Sequence, residues 1–171
     1  MTKKAKPQKK TLEREDKENI LLKEIRGLQR QLDASGGAMY SAKDNKGKAA
    51  NVAWALFSTF IRRRDMKEQK GTCYTCGKSF DTWKDSQAGH YLSRSMKATL
   101  FDERQVKSQC AQCNNPSMGA GRPREFAYRL VLEYGADILT DLKKKSMQDT
   151  KVDFYFWYDN AKVFAKKLDE M

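Results

Sequence analysis

Apolar residues recur at helical spacing in four stretches beyond residue 48, and a longer stretch between the first two has no such period. In A-A-N-V-A-W-A-L-F-S-T-F-I-R-R-R-D, Val52, Leu56 and Phe60 form one row and Trp54, Phe57 and Ile61 another. That pattern predicts a well-buried helix ending in the basic cluster Arg62, Arg63 and Arg64. Phe126, Leu130 and Tyr134 share a face over 124–134, and Gly135 is a helix stop. Residues 136–147 and 152–169 predict two more amphipathic helices. Phe154, Phe156, Trp157 and Tyr158 in the last one suit either base stacking or a core. Core is the better reading, because residues 124–171 carry nine basic and nine acidic side chains, hence no net charge to attract a polyanion.

The N-terminal third reads differently. Residues 1–10, M-T-K-K-A-K-P-Q-K-K, form a basic tail with nothing to bury, expected to be disordered. Thr11 is placed to cap a helix over about 11–33, with acidic residues in its first turn. Leu21, Ile25, Leu28 and Leu32 repeat at intervals of 4, 3 and 4, the seam of a short coiled coil. Two readings follow, a homodimerisation arm or a helix packing on its own domain, and Gly27 weakens the helix in both. The small, polar residues 34–48 read as a linker. The expected organisation is therefore tail 1–10, arm 11–33, linker 34–48, a domain over 49–147 and a C-terminal helix, 148–171, packing on it.

The aperiodic stretch holds the chemistry. It contains C-Y-T-C-G at 73–77, A-G-H-Y at 88–91 and C-A-Q-C-N-N at 110–115, which include all four cysteines and the sole histidine of the chain. Cys73, Cys76, Cys110 and Cys113 form two C-x-x-C pairs, and each pair can turn both thiolates toward one tetrahedral Zn²⁺. A redox pair or unrelated core cysteines are the alternatives, and a redox site would need only one pair. A site closed by four thiolates leaves no position for water, so the zinc is expected to hold the fold and do no chemistry. Alternating hydrophobics in K-S-F-D-T-W-K-D-S-Q predict a strand, and A-G-H-Y-L its returning partner. A helix or turn is expected to open at Cys113 to Pro116.

Charge selects the partner. The net charge is +12, of which residues 1–50 supply +6 and residues 51–123 the other +6. A basic excess gathered around zinc knuckles favours nucleic acid, since neutralised phosphates release counterions. The loop M-G-A-G-R-P-R does not fit a phosphate-loop motif, so no nucleotide cofactor is expected. No apolar run reaches the roughly 18 residues of a membrane span. Without a secretory signal, the expected location is the cytoplasm.

F-I-R-R-R-D, C-Y-T-C-G, A-G-H-Y, F-D-E-R-Q-V-K-S-Q-C-A-Q-C-N and R-L-V-L-E-Y-G-A-D-I-L together resemble the NinG (Rap) recombination nucleases of lambdoid phages, over about residues 50–147. The resemblance implies an α+β, mostly helical fold. Its centre would be a small zinc-stapled ββα-metal (HNH, treble-clef-like) core flanked by helices, with the N-terminal helical arm outside it. It also implies an endonuclease that hydrolyses phosphodiesters in branched DNA, such as Holliday junctions and D-loops, with Mg²⁺ or Mn²⁺. The competing reading is a zinc-knuckle DNA-binding module without catalysis. Carried over by position, His90 would be the general base, because a neutral imidazole is basic at working pH, and Asn114 would lie near the catalytic metal. Gln105 stands where the pattern has an asparagine that orients the histidine loop, and Gly89 stands where an aspartate ligand is common. Asp102, Glu103 and Asp85 are the candidate carboxylates for that metal. Arg94, Lys97 and Arg104 would position the DNA backbone, with Arg62, Arg63, Arg64, Lys107, Arg122 and Arg124 as further contacts.

Overall fold

The computed structural model describes residues 23–24, 26–28, 30, 45–68, 70–115 and 122–171. Tail 1–10, linker residues 34–44 and most of the predicted arm lie outside the described residues. Helix α1, Asn45–Glu68, is 24 residues long and is the element on which the others are assembled. Its rows of apolar side chains bury on several sides, with Val52, Leu56, Phe57 and Ile61 all at most 1% exposed. The helix extends four residues N-terminal to the boundary that composition placed at residue 49.

Two strands lie against α1. β1, Gln87–His90, pairs antiparallel with β2, Val106–Gln109, in the register Gln87↔Gln109 to His90↔Val106. This corrects the expected hairpin. Before Gln87, the segment K-S-F-D-T-W-K-D-S contributes only a bridge from Ser79 to Thr72, then turns into a short 3₁₀ helix, Trp83–Asp85. The cause is local: Thr82 and Asp85 form a capping box that bends the chain where a strand would have run. The partner of the histidine strand is therefore V-K-S-Q, reached through the loop 91–105, which contains a second 3₁₀ turn at Lys97–Thr99.

Four helices follow. The short α2, Ala111–Asn114, leaves β2 directly through Cys110. α3, Pro123–Tyr134, has proline in its first turn and ends at Gly135, and α4, Ile138–Ser146, folds back beside it. α5, Phe154–Asp169, is capped by Asp153 and packs along α1.

Two apolar cores result. The larger joins α1 and α5 with Ala88 and Val106 of the sheet, and includes Phe154, Tyr158 and Phe164. Phe156 packs tilted and Trp157 edge-on against Phe101. The aromatic helix is thus core. The smaller core joins Tyr74 of the first knuckle to Phe126, Leu130, Ile138 and Leu142, with Tyr91 and Leu92 against it. Of the predicted coiled-coil seam, Leu28 is described, and it packs against the larger core. No described helix is long and apolar enough to cross a membrane.

Candidate functional site

The two C-x-x-C pairs meet. Cys73, Cys76, Cys110 and Cys113 have their sulfurs within 4.8 Å of one another. Sulfurs bound at about 2.3 Å to one tetrahedral zinc lie about 3.8 Å apart, which is the Cys76 to Cys110 separation of 3.8 Å. Backbone turns aim the thiols. Gly77, at a φ of 76° that favours glycine, closes the first knuckle with its N–H on Cys73 O, while the Cys73 N–H donates to Lys78 O. In the second, Cys110 is the N-cap of α2 and its N–H donates to Cys73 Sγ at 3.3 Å. Burial opposes ionisation of Cys73, yet N–H groups of Cys76, Cys110 and Thr75 bring its pKa down to about 7. The cluster can hold a zinc ion.

A cleft of about 700 Å³ lies beside the cluster, between one face of α1 and the end of β1. Asn51, Trp54, Ala55, Ser58 and Arg62 line it from α1, Gln87 and His90 from β1, Arg94 from the following loop, and Asn114 from the end of α2. No carboxylate lines it among the described residues.

His90 ends β1. Its Nε2 sits 2.9 Å from Leu100 O, which can only accept, so the proton belongs on Nε2 and the lone pair on Nδ1. Nδ1 is buried and has no hydrogen-bond partner. The ring stacks on Trp54, with centroids 5.3 Å apart. Burial lowers the imidazole pKa to about 4; the Leu100 contact works against this, and the charge of Arg94 adds to it. His90 is therefore neutral near pH 7.

Gln105 is fully buried behind this site and bridges the loop. Its Oε1 accepts from Leu92 N at 2.7 Å and its Nε2 donates to Thr99 O at 2.6 Å. The longer side chain thus fastens both limbs of the loop carrying Leu100 O, the acceptor for His90. Gly89 also has a steric cause. A Cβ there would fall on Gln109 Oε1 and lie 2.8 Å from Asn114 Oδ1. Gln109 is itself held by Thr75 of the first knuckle, and Asn114 Nδ2 donates to Gln87 at 2.8 Å. An aspartate at 89 has no room while Gln109 keeps that place.

Several predicted residues lie elsewhere. Asp102 is held by Arg104 and Lys145 at 2.7 and 2.9 Å; burial alone would raise its pKa, but these cations take it down to about 2. Glu103 pairs with Arg64 and Lys167, and Asp85 serves the capping box, so none of the three candidate carboxylates reaches the cleft. Lys107 is not at the surface: its side chain is 2% exposed, bonded to Glu133 at 2.6 Å and the Tyr134 hydroxyl at 2.9 Å. Arg64 likewise turns inward, onto Asp65 and the carbonyls of Glu103 and Val106. Arg104 is occupied by Asp102, and Lys97 by Arg94 O, while Arg63, Arg122 and Arg124 lie outside the cleft. Of the predicted set, the cleft gathers His90, Asn114, Arg62 and Arg94. It also includes Trp54, Asn51, Ser58 and Gln87, which the sequence reading passed over. The readable signal was the mixed polar row Asn51, Trp54, Ser58, Arg62 on an otherwise apolar helix.

The family described as Bacteriophage Lambda NinG protein matches this chain over residues 2–155. No curated protein and no solved structure matches it.

Proposed function

The chain belongs to the bacteriophage lambda NinG family, and from that premise we propose that it is a DNA endonuclease of phage recombination, cutting branched DNA in the cleft beside the cysteine cluster. The observation that carries the reading is the state of His90. Nε2 is spent on Leu100 O and Nδ1 is left as a buried lone pair without a partner, on a residue that lines a cleft with two arginines. A base must be neutral before it can take a proton from water, which the tautomer and the lowered pKa of His90 support; its buried Nδ1 must still be reached by that water.

In this reading Leu100 O and Gln105 are positioning groups. The first fixes the tautomer, and the second fixes the loop that presents it. Trp54 supports the ring from the floor of the cleft. Water enters as the nucleophile, gives its proton to Nδ1 and attacks phosphorus; the 3′ or 5′ oxygen leaves with the electron pair of the broken P–O bond. Arg62 and Arg94 offer donors to the phosphate oxygens.

The four cysteines fit a closed structural zinc. Catalytic Mg²⁺ or Mn²⁺ is a different matter. Such ions are usually held through one or two carboxylates, whereas the described cleft offers the amide oxygens of Asn114 and Gln87. Those residues do not make a cation site by themselves, and no step above depends on one.

The test is cleavage of a labelled four-way junction beside a linear duplex of the same sequence, with Mg²⁺, with Mn²⁺ and with chelator, for the protein and His90→Ala. Junction-selective cutting that the variant loses while keeping its zinc content supports the enzyme. Tight junction binding without cutting by either protein would make the chain a zinc-knuckle DNA-binding module, a reading that the missing carboxylate and the burial of Nδ1 favour.

A further inference from the structure

Most basic side chains around the site are already neutralised. Arg64 meets Asp65 and Glu103, Arg104 and Lys145 meet Asp102, Lys107 meets Glu133, and Lys167 meets Glu103. Arg62 and Arg94 differ from all of these. Neither has a carboxylate partner among the described residues; both line the cleft; and each guanidinium rests on an indole. Arg94 Cζ lies 4.1 Å from the Trp54 ring centre, and Arg62 Cζ lies 4.8 Å from that of Trp83. Arg62 is further held by a bond from its Nε to Ser58 O at 3.1 Å, which leaves its terminal nitrogens free to donate.

An indole face attracts a cation without neutralising it. A carboxylate partner would cancel the charge and compete with a phosphate. A tryptophan instead fixes the direction of the guanidinium and leaves its formal charge available. Trp54 and Arg62 are eight residues apart on one helix, about 12 Å between their backbones at about 1.5 Å per residue, and the Arg62 side chain runs back one turn to Ser58 O, so the two guanidiniums rest on separate indoles along the same cleft. Because each guanidinium is fixed on its own indole, the two address different points along the cleft.

We propose that Trp54 and Trp83 are positioning residues that hold Arg94 and Arg62 as a two-point clamp on separate phosphates of one DNA strand lying in the cleft, with His90 beside the Trp54 end. The clamp deepens the reading of the cleft as a DNA site and depends on it. It also explains why the tryptophans belong to a helix face and a 3₁₀ turn that otherwise serve packing: the capping box at Thr82 and Asp85 sets Trp83 where Arg62 can cover it.

The experiment measures binding of a four-way DNA junction by the full-length protein over a range of salt, without divalent metal, for Arg62→Gln, Arg94→Gln and the double variant. Each neutralised contact removes about 0.9 from the slope of log K against log salt, and two separate phosphates remove about 1.8. We expect those losses, and no loss for Lys166→Gln on the outer face of α5, where Lys166 pairs with Glu170. Trp54→Leu and Trp83→Leu should reproduce the loss of the arginine each one carries. Trp54→Phe and Trp83→Phe should restore most of the slope, which a merely structural role would not predict. Zinc content and thermal midpoint identify any variant that fails to fold, and for such a position the phenylalanine variant alone decides. Unchanged slopes in both arginine variants would overturn the clamp even if the protein cuts junctions. Reduced slopes in a protein that never cuts would leave the clamp standing and sink the endonuclease. A double variant no weaker than the singles would overturn the two-phosphate geometry.

Discussion

At the scale of single residues, His90 makes a statement about pH. Its pKa falls from 6.5 in an unfolded chain to about 4 in the fold, so between those values the unfolded chain binds more protons. Stability therefore drops as pH falls from about 6.5 toward 4, by an amount on the order of 3 kcal/mol. Replacing His90 by Gln should flatten the pH dependence of the unfolding midpoint in that window, as denaturant titrations at pH 4.5 and 7 would reveal; an unaltered slope would mean that the ring is not held neutral. Cleavage, if His90 is the base, should persist down to about pH 5 and decline as the pH nears 4. Lys107 gives a second case. Lys107→Ala leaves Glu133 beside two tyrosine hydroxyls and opens a cavity under α3. We expect it to destabilise the fold by about 2–4 kcal/mol while leaving the salt slope of DNA binding unchanged. A lowered slope would restore Lys107 as a phosphate contact.

At the scale of elements, the loop between β1 and β2 depends on one amide. Gln105→Ala removes the partners of Leu92 N and Thr99 O, and an unmade buried hydrogen bond costs about 1–3 kcal/mol. The larger expected effect is on cleavage, since Leu100 O would no longer be held for Nε2. Gln105→Asn, one methylene shorter, cannot span both limbs, and we expect partial activity from it in the junction assay. The cysteines have only Phe80 as apolar company, and beyond the sulfurs the first knuckle is held by Tyr74 and Thr75, so chelation or Cys110→Ser should strongly destabilise this half of the domain; zinc sites in small domains supply about 10–16 kcal/mol. What the sequence made legible here follows from what is local. C-x-x-C pairs, helical rows and the histidine strand can be read from spacing, because each is a turn or a period. The pairing of Q-A-G-H with V-K-S-Q was hidden, because strand partners separated by a loop are chosen by packing against α1, through Ala88 and Val106. The fate of the basic residues was hidden for the same reason. Lys107, buried, and Arg94, exposed over an indole, look alike as letters.

At the scale of the whole molecule, the question is whether the N-terminal helix joins two chains or serves one. Periodicity allowed both, since Leu21, Ile25, Leu28 and Leu32 would pack equally well on a second copy or on α1 and α5. In the structure Leu28 packs on the core of its own chain, and the Tyr158 hydroxyl donates to Glu24. A leucine used in this way is withdrawn from a seam of only two heptads, and two heptads are too short to hold a dimer with one position missing. The arm should therefore act as a lid on the α1 and α5 core. Removing residues 1–44, which ends just before α1, should lower the thermal midpoint by roughly 2–8 °C, the shift expected from losing about 1–2 kcal/mol in a domain of this size. The midpoint of the intact chain should not change with protein concentration, because no association contributes to it. A midpoint that climbs with concentration in the intact protein and ceases to do so after the truncation would return the helix to the role of dimerisation arm. It would also supply two clefts to a four-way junction, whose resolution requires two cuts. Truncation would then abolish paired cleavage and spare nicking, whereas a helix that only covers its own core leaves the ratio of paired to single cuts as it was.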